Sequence, residues 1–204
     1  MKLYSVTLPS GAGFTATGAN TAGHGTDYTF KVDIAEGYSK TGSYRVLVNG
    51  SAVDGIMGDE TGDTFLLTGV SGSMTITVEG VADITPPAAE IAVGTNKFSS
   101  FMNTITFGLF FKKTQTVTVT ASDVGSGLSK VEYLLSETAF EDKDAIVGDW
   151  TELTLTEGAA AFNIEPSRKA YVYLRVTDVS GNITVINSDG VVVYTDAEAI
   201  TEAV

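Results

Sequence analysis

Two short turns carry the oxygen-rich side chains that could bind a hard metal ion. Asp178-Val-Ser-Gly-Asn182 joins two alternating segments, and Asp123-Val-Gly-Ser-Gly127 is its earlier echo. Calcium is bound by several carboxylate and carbonyl oxygens, so Asp123, Asp178 and Asn182 are candidate ligands. The same residue types also stabilise turns without a metal, because Asp and Asn accept hydrogen bonds from backbone amides and glycine adopts positive φ. Without an Asp-x-Asp-x-Asp loop, the sequence favours the structural role, so no cofactor is expected and calcium is the alternative.

A second group of side chains could bind carbohydrate. In the segment 171–177, Val172, Leu174 and Val176 alternate, which predicts that Tyr171, Tyr173 and Arg175 point outward together. Trp150 follows Gly-Asp at the entry to another strand. Tyr and Trp are amphipathic contact residues, so these four are candidate ligand-binding residues. The alternative, which the pattern favours, is ordinary cross-strand packing on a sheet surface.

The motifs of catalysis are missing from the sequence. A hydrolase needs an activated nucleophile beside a base, and there is neither a Gly-x-Ser-x-Gly elbow nor a supported Ser-x-x-Lys. The single histidine, His24, stands in a glycine-flanked loop, where an exposed turn residue is expected. With 25 acidic residues, chance carboxylate pairs are inevitable, and a pair without a pocket does not make a glycosidase. The sequence therefore predicts a protein that is not an enzyme and has no catalytic residue.

Composition narrows the partners. The 204 residues contain no cysteine, which excludes disulfides, zinc-thiolate sites and cysteine nucleophiles. A net charge of −13 disfavours nucleic acid and anionic lipid as partners. No segment reaches the apolar length of a membrane span, and no leader is evident at the start. We expect a piece of a longer exported protein, located outside the cell.

The elements that position these residues are predicted to be strands. Gly, Thr and Val are abundant and alternation is frequent, so an all-β fold is expected. The Pro86-Pro87 pair marks a joint, because tandem prolines cannot sit inside a central strand. The predicted organisation is a small β-sandwich module at 1–84, a linker at 85–89, a second sandwich at 90–195 and an acidic tail or linker at 196–204. Asp83, before the joint, and Asp196, in the tail, are further possible calcium ligands.

Strand boundaries follow from the same patterns. In the first half we predict strands at 3–8, 14–17, 27–34, 44–50, 64–67 and 74–81. In the second half we predict strands at 90–93, 116–121, 129–135, 151–156, 160–164, 170–177, 183–187 and 191–194. The pair 116–121 and 129–135 is expected to form a hairpin, and 137–147 a brief helical excursion.

The aromatic-rich segment 97–113 is less regular. Phe98, Phe101 and Ile105 fit one helical face, whereas Phe107 and Phe111 fit one strand face. This spacing predicts a short helix or turn that runs into a hairpin and caps one end of the core. An exposed docking patch over 98–111 is the alternative.

Several segments resemble bacterial immunoglobulin-like modules. The resemblance rests on Val117–Asp123 with Ser126–Tyr133, on Trp150, on Tyr173–Asn182 and on Ser188–Tyr194, and it covers about residues 86 to 195. The first half, with Val46–Gly50 and Ile76–Val81, looks like a second, smaller module of the same kind of protein. Such modules occur in large secreted or wall-attached proteins of Gram-positive gut bacteria.

The resemblance implies two tandem immunoglobulin-like sandwiches and a non-catalytic role as spacer or adhesion segment. Neighbouring modules of the same parent protein would be the first partners, and a host or dietary glycan or protein a further one. The alternative function is a carbohydrate-binding accessory attached to a secreted glycan-degrading enzyme. An internal Lys–Asn cross-link, as in some surface domains, would need a buried lysine, and Lys31 stands on the polar face of its predicted strand.

Overall fold

The computed structural model describes residues 1–194. In that range every regular element is a β-strand, except for one turn of 3-10 helix at Lys143–Ala145, so the all-β prediction is confirmed. The described chain has no helix long and apolar enough to cross a membrane. It divides into two compact units, Met1–Thr85 and a second that begins at Pro86. The predicted tail at 196–204, including Asp196, lies outside the described residues.

The first unit contains ten strands, four more than its sequence pattern predicts. They are β1 (Leu3–Thr7), β2 (Ser10–Gly11), β3 (Phe14–Gly18), β4 (Thr21–Gly23), β5 (Tyr28–Ile34), β6 (Tyr38–Val48), β7 (Ser51–Val53), β8 (Met57–Asp59), β9 (Gly62–Leu67) and β10 (Met74–Asp83). The unpredicted strands β2, β4, β7 and β8 have only two or three residues each, too few to show an alternating pattern.

Two five-stranded sheets build this unit, in the orders β4-β1-β10-β6-β7 and β2-β3-β5-β9-β8. Their facing sides share one core, in which the alternating residues Tyr28, Phe30 and Val32 of β5 meet Ile76 of the other sheet. The rings of Phe30 and Phe65 stack with centroids 4.8 Å apart. The unit is therefore a β-sandwich, and the apolar face of β5 points into its core.

The second unit also contains ten strands and the single 3-10 turn. Its strands are β11 (Ala88–Val93), β12 (Asn96–Phe98), β13 (Phe107–Phe111), β14 (Gln115–Ser122), β15 (Leu128–Ser136), β16 (Thr151–Glu152), β17 (Ala159–Ile164), β18 (Arg168–Asp178), β19 (Ile183–Asn187) and β20 (Gly190–Val193). One sheet has the order β12-β11-β14-β17 and the other the order β13-β20-β18-β15-β16, with β19 paired to β18.

The two sheets of the second unit enclose an aliphatic core, which we call the main core. It includes Ile91, Val117 and Ile164 from the first sheet and Val172 and Leu174 from the second, all fully buried. β19 and β20 pair with successive parts of β18, so together they form one interrupted neighbour of that strand. The second unit is therefore also a β-sandwich.

The predicted hairpin of 116–121 with 129–135 is wrong. β14 pairs with β11 and β17, whereas β15 pairs with β16 and β18 in the opposite sheet. The reason is that both strands send their apolar residues into the same main core from opposite sides. The turn at 123–127 therefore carries the chain from one sheet to the other, while the turn at 178–182 is a true hairpin between β18 and β19.

The segment 97–113 contains no helix, which corrects that part of the prediction. It holds β12 and β13, and β13 pairs in parallel with β20 instead of forming a local hairpin. Phe98 and Phe111 pack on the main core, and Phe101 and Phe107 pack on a second group of buried rings. Most of the aromatic segment is thus core, while Phe110 remains 61% exposed.

Candidate functional site

In the hairpin turn at 178–182, both carboxylate oxygens of Asp178 accept hydrogen bonds. Asn182 donates its backbone amide to Oδ1 of Asp178 and its side-chain Nδ2 to Oδ2, each at 2.7 Å. Gly181 has φ 93°, which a residue with a Cβ rarely adopts. Asp178 is only 2% exposed. The predicted structural role of this turn is therefore what its hydrogen bonds perform, and Asn182 acts on Asp178 as a donor.

The turn at 123–127 is built on the same plan but is less complete. The amide of Gly127 donates to Oδ2 of Asp123 at 2.6 Å, and Gly127 has φ 86°. The other oxygen, Oδ1 of Asp123, is buried and has no hydrogen-bond partner in the described part of the chain. One half of this carboxylate is thus used by the turn and the other half is not.

The structure brings the two turns together. The amide of Val179 donates to the carbonyl of Gly127 at 2.9 Å, and the amide of Ser180 donates to Oγ of Ser126 at 3.1 Å. A carboxylate oxygen of Asp123 and one of Asp178 lie within 4.8 Å of each other. The sequence offered both residues as metal ligands, but only the crossover of β14 and β15 makes them neighbours.

Asp83 belongs to the first unit. Its Oδ1 accepts the amide of Thr85 at 2.9 Å, an ordinary Asp turn that ends β10.

The carboxylate pair is not arranged for glycoside hydrolysis. Such enzymes need both carboxyl groups to reach a sugar bound between them. Asp178 is buried and its two oxygens already accept hydrogen bonds from Asn182. A substrate therefore could not contact this carboxylate.

The prediction that Tyr171 and Tyr173 point outward to bind carbohydrate is wrong. Tyr171 and Tyr173 do lie opposite Val172 and Leu174 on β18, but they are 7% and 0% exposed and do not face solvent. They belong to a second buried group, which we call the aromatic cluster: Leu134, Tyr171 and Tyr173, covered by Phe101, Ile105, Phe107, Ala139, Phe140, Ile146 and Trp150. The loops around β13 and the 3-10 turn supply this cover, and alternation along β18 carries no signal of it.

A buried asparagine ties part of that cover down. Asn187 is fully buried; its Nδ2 donates to the carbonyl of Met102 at 3.0 Å, and its Oδ1 accepts the amide of Met102 at 2.6 Å. The hydroxyl of Tyr173 likewise accepts the amide of Phe140 at 2.8 Å. Burial raises the pKa of Tyr173, and the hydrogen bond from Phe140 opposes that rise only partly. Nothing in the sequence marks Asn187 as a buried hydrogen-bonding residue, since an asparagine at a strand end looks like a turn residue.

The other two predicted carbohydrate-binding residues, Arg175 and Trp150, contact each other beside an ion-pair network. The Arg175 guanidinium lies 4.3 Å from the ring centroid of Trp150, and its nitrogens contact Oε2 of Glu132 at 2.8 and 3.0 Å. Lys130 contacts Oε1 of Glu132 at 2.6 Å. Arg175 and Trp150 are thus engaged with each other, as a cation over an aromatic face.

Glu132 sits at the centre of this network and was not singled out in the sequence. Its burial alone would raise the pKa, but hydrogen bonds and charges from Lys130 and Arg175 outweigh burial and lower the pKa below its ordinary value of 4.5. The carboxylate is therefore held ionised as a structural anion.

His24 is exposed, as the sequence predicts. Its Nδ1 lies 3.3 Å from the hydroxyl of Tyr4, and the two rings meet edge to face. This contact joins β1 to the end of β4 and places no nucleophile on the histidine.

A cleft with a volume of about 890 Å³ lies in the first unit. It is lined by Ile34, Ala35, Glu36, Tyr38, Ser39, Lys40, Asp59, Glu60, Thr61 and Ile84. Its only basic residue, Lys40, pairs with Asp63 at 2.8 Å. The cleft is mixed apolar and acidic, and none of its groups was a predicted site residue.

Comparisons with known proteins give little. No family model matches the sequence, and no curated protein matches it. A solved structure of fibronectin(III)-like modules of Clostridium thermocellum CbhA is 10% identical, and the alignment covers 96% of this chain and 92% of that one with a TM-score of 0.33. At that identity and score the likeness carries no argument, so the fold rests on the strand pairing described above.

Proposed function

We propose that this chain is a non-catalytic segment of two immunoglobulin-like modules in a large bacterial cell-surface or secreted protein. It acts as a mechanically resistant spacer that separates and presents neighbouring modules of the same parent chain. The module assignment is supported by the strand order in the second unit. Of its six main strands, the first, second and fourth (β11, β14, β17) form one sheet, and the third, fifth and sixth (β15, β18, β20) form the other.

The non-catalytic role is supported by what the candidate side chains do. Asp178 is occupied by Asn182, Tyr173 is buried, and Arg175 is paired with Glu132. Each of these three groups is engaged in holding strands or loops together. A catalytic group has to reach a substrate, and these groups do not.

The spacer role is carried by one observation: in each unit an earlier strand pairs in parallel with the last described strand. In the first unit β1 pairs in parallel with the last strand β10. In the second unit β13 pairs in parallel with the last strand β20, from Phe107 opposite Gly190 to Phe111 opposite Val193. When the start of one parallel strand and the end of the other are pulled apart, their hydrogen bonds are loaded together. Resistance to force then follows from slow unfolding.

Force spectroscopy tests this role. The chain has no cysteine, so paired substitutions give unique attachment points. Thr106→Cys with Tyr194→Cys pulls β13 and β20 in shear, whereas Lys112→Cys with Tyr194→Cys peels the same strands from one end. We expect the shear pair to unfold at a clearly higher force than the peeling pair. Equal and low unfolding forces in both directions would refute the role as a mechanically resistant spacer.

The carbohydrate-binding alternative has lost its strongest support. Two of its four residues, Tyr171 and Tyr173, are buried, and Trp150 is covered on one face by Arg175. A glycan array with the whole chain tests the alternative. Binding that a Trp150→Ala substitution removes would revive it.

A further inference from the structure

The pair Asp123 and Asp178 consists of a half-buried carboxylate and a buried one. Asp178 is 2% exposed, and Oδ1 of the half-buried Asp123 is shielded from solvent and has no hydrogen-bond partner within residues 1–194. Neither carboxylate forms an ion pair within residues 1–194, since the basic residues nearest in sequence, Lys130 and Arg175, contact Glu132 instead. This is a different situation from Glu132, whose negative charge is matched by two cations.

Such an arrangement is unfavourable by itself. A buried carboxylate oxygen without a donor has lost its water and gained nothing in return. A second carboxylate nearby adds repulsion between like charges. Two turns that are hydrogen-bonded to each other hold the pair in this position. The side chains therefore cannot simply swing apart into solvent.

We propose that Asp123 and Asp178 bind one calcium ion between the two turns. Calcium–oxygen distances are about 2.4 Å, so two ligand oxygens of one ion can be at most about 4.8 Å apart. The carboxylate oxygens of Asp123 and Asp178 meet that limit. The unpartnered Oδ1 of Asp123 is the oxygen that the ion would satisfy.

The amides of the turns prepare both ligands. The Gly127 amide fixes Asp123 through Oδ2, which leaves Oδ1 for the ion. Asn182 fixes Asp178 through both oxygens, each of which keeps a further lone pair. Asn182 is thus a positioning residue for Asp178. Water and carbonyl oxygens would complete the six to eight ligands that calcium takes.

Binding would link the two sheets of the second unit. The first turn leads from β14 in one sheet to β15 in the other, and the second turn closes the β18–β19 hairpin. An ion that binds only the folded turns stabilises the folded state by mass action. This inference does not depend on the role of the parent protein, because it concerns stability alone.

Thermal unfolding of the whole chain tests the proposal, with calcium or with a chelator. Trp150 is the only tryptophan and lies in the second unit, so its fluorescence follows the unfolding of that unit. We expect calcium at about a hundredfold excess over Kd to raise Tm by about 10 °C. Titration calorimetry with calcium should give one ion per chain.

Asp123→Asn is the decisive variant, because asparagine keeps an oxygen for the Gly127 amide. It should abolish the calcium shift and should be at least as stable as the unsubstituted protein in chelator, since it removes a buried charge. Asp149→Asn is the matched control, because it makes the same charge change at an exposed residue. The control should keep the full shift.

Three results would overturn the proposal. No shift in the unsubstituted protein would mean that the carboxylates are satisfied without a metal. An undiminished shift in Asp123→Asn would place the ion elsewhere. An Asp123→Asn protein that is unfolded, or clearly less stable in chelator, would show that the carboxylate already has a favourable environment without calcium.

Discussion

Both faces of β18 are buried around residues 171–174, for different reasons. On one face Val172, Leu174 and Val176 are fully buried in the main core, where two regular sheets meet. On the other face Tyr171 and Tyr173 are buried under irregular segments that fold over the sheet. The first burial follows from strand alternation, and the second follows from where loops happen to return. Alternation thus shows which residues share a face but not whether that face meets solvent.

The largest effect is expected inside the main core. Leu174→Ala removes a fully buried side chain and leaves a cavity, so we expect a loss of about 3–4 kcal/mol in the free energy of unfolding. Urea denaturation followed by Trp150 fluorescence measures it. Val124→Ala, at a residue that is 98% exposed, is the control and should change stability by less than about 0.5 kcal/mol. A Leu174→Ala loss as small as the control's would contradict the main core described here.

A smaller and more local effect is expected where the cover of the aromatic cluster is tied down. Asn187→Ala removes both hydrogen bonds to Met102, and we expect a loss of about 2 kcal/mol. The segment around Met102 should also become sensitive to protease before the sheets unfold, because only the cover is released. Limited proteolysis with mass spectrometry locates the cuts. Cleavage that begins in the sheets would instead mean that the two faces are not separable.

The hydroxyl of Tyr173 tests the other tie. Tyr173→Phe keeps the ring in the aromatic cluster but removes the acceptor for the Phe140 amide, so a loss of about 1 kcal/mol is expected. Tyr133→Phe is the matched control on the same sheet, since the ring of Tyr133 stacks on Phe162 at 3.9 Å. Chemical denaturation of both variants gives the comparison. A smaller loss for Tyr173→Phe than for Tyr133→Phe would refute the importance of the tie.

The smallest effect is expected at Glu132, beside the covered face. Its pKa is lower in the folded protein than the ordinary 4.5, so its ionised form stabilises the fold at pH values above 4.5. That contribution is lost as the pH falls through the lowered folded pKa. Relative to the unsubstituted protein, Glu132→Gln should therefore be less stable at neutral pH, with the difference shrinking in acid. Glu152→Gln, at the exposed cross-strand neighbour, is the control substitution.

Local patterns of residues predicted much of the architecture. The strands β5 and β18 and the turn that joins β18 to β19 all follow from short-range alternation and turn chemistry. The prediction failed where pairing is long-range. β14 and β15 look like a hairpin in sequence, but each finds its partners elsewhere in the second unit.

The same distinction between short-range pattern and long-range packing applies to the candidate sites. The sequence by itself determined an all-β chain rich in turns and identified Asp123 and Asp178 as turn acids. Only the tertiary structure decided that these two carboxylates are neighbours and that Tyr171 and Tyr173 are buried. The physical reason is that turn chemistry and alternation depend on residues a few positions apart. The meeting of two turns and the covering of a sheet depend instead on how distant strands pack.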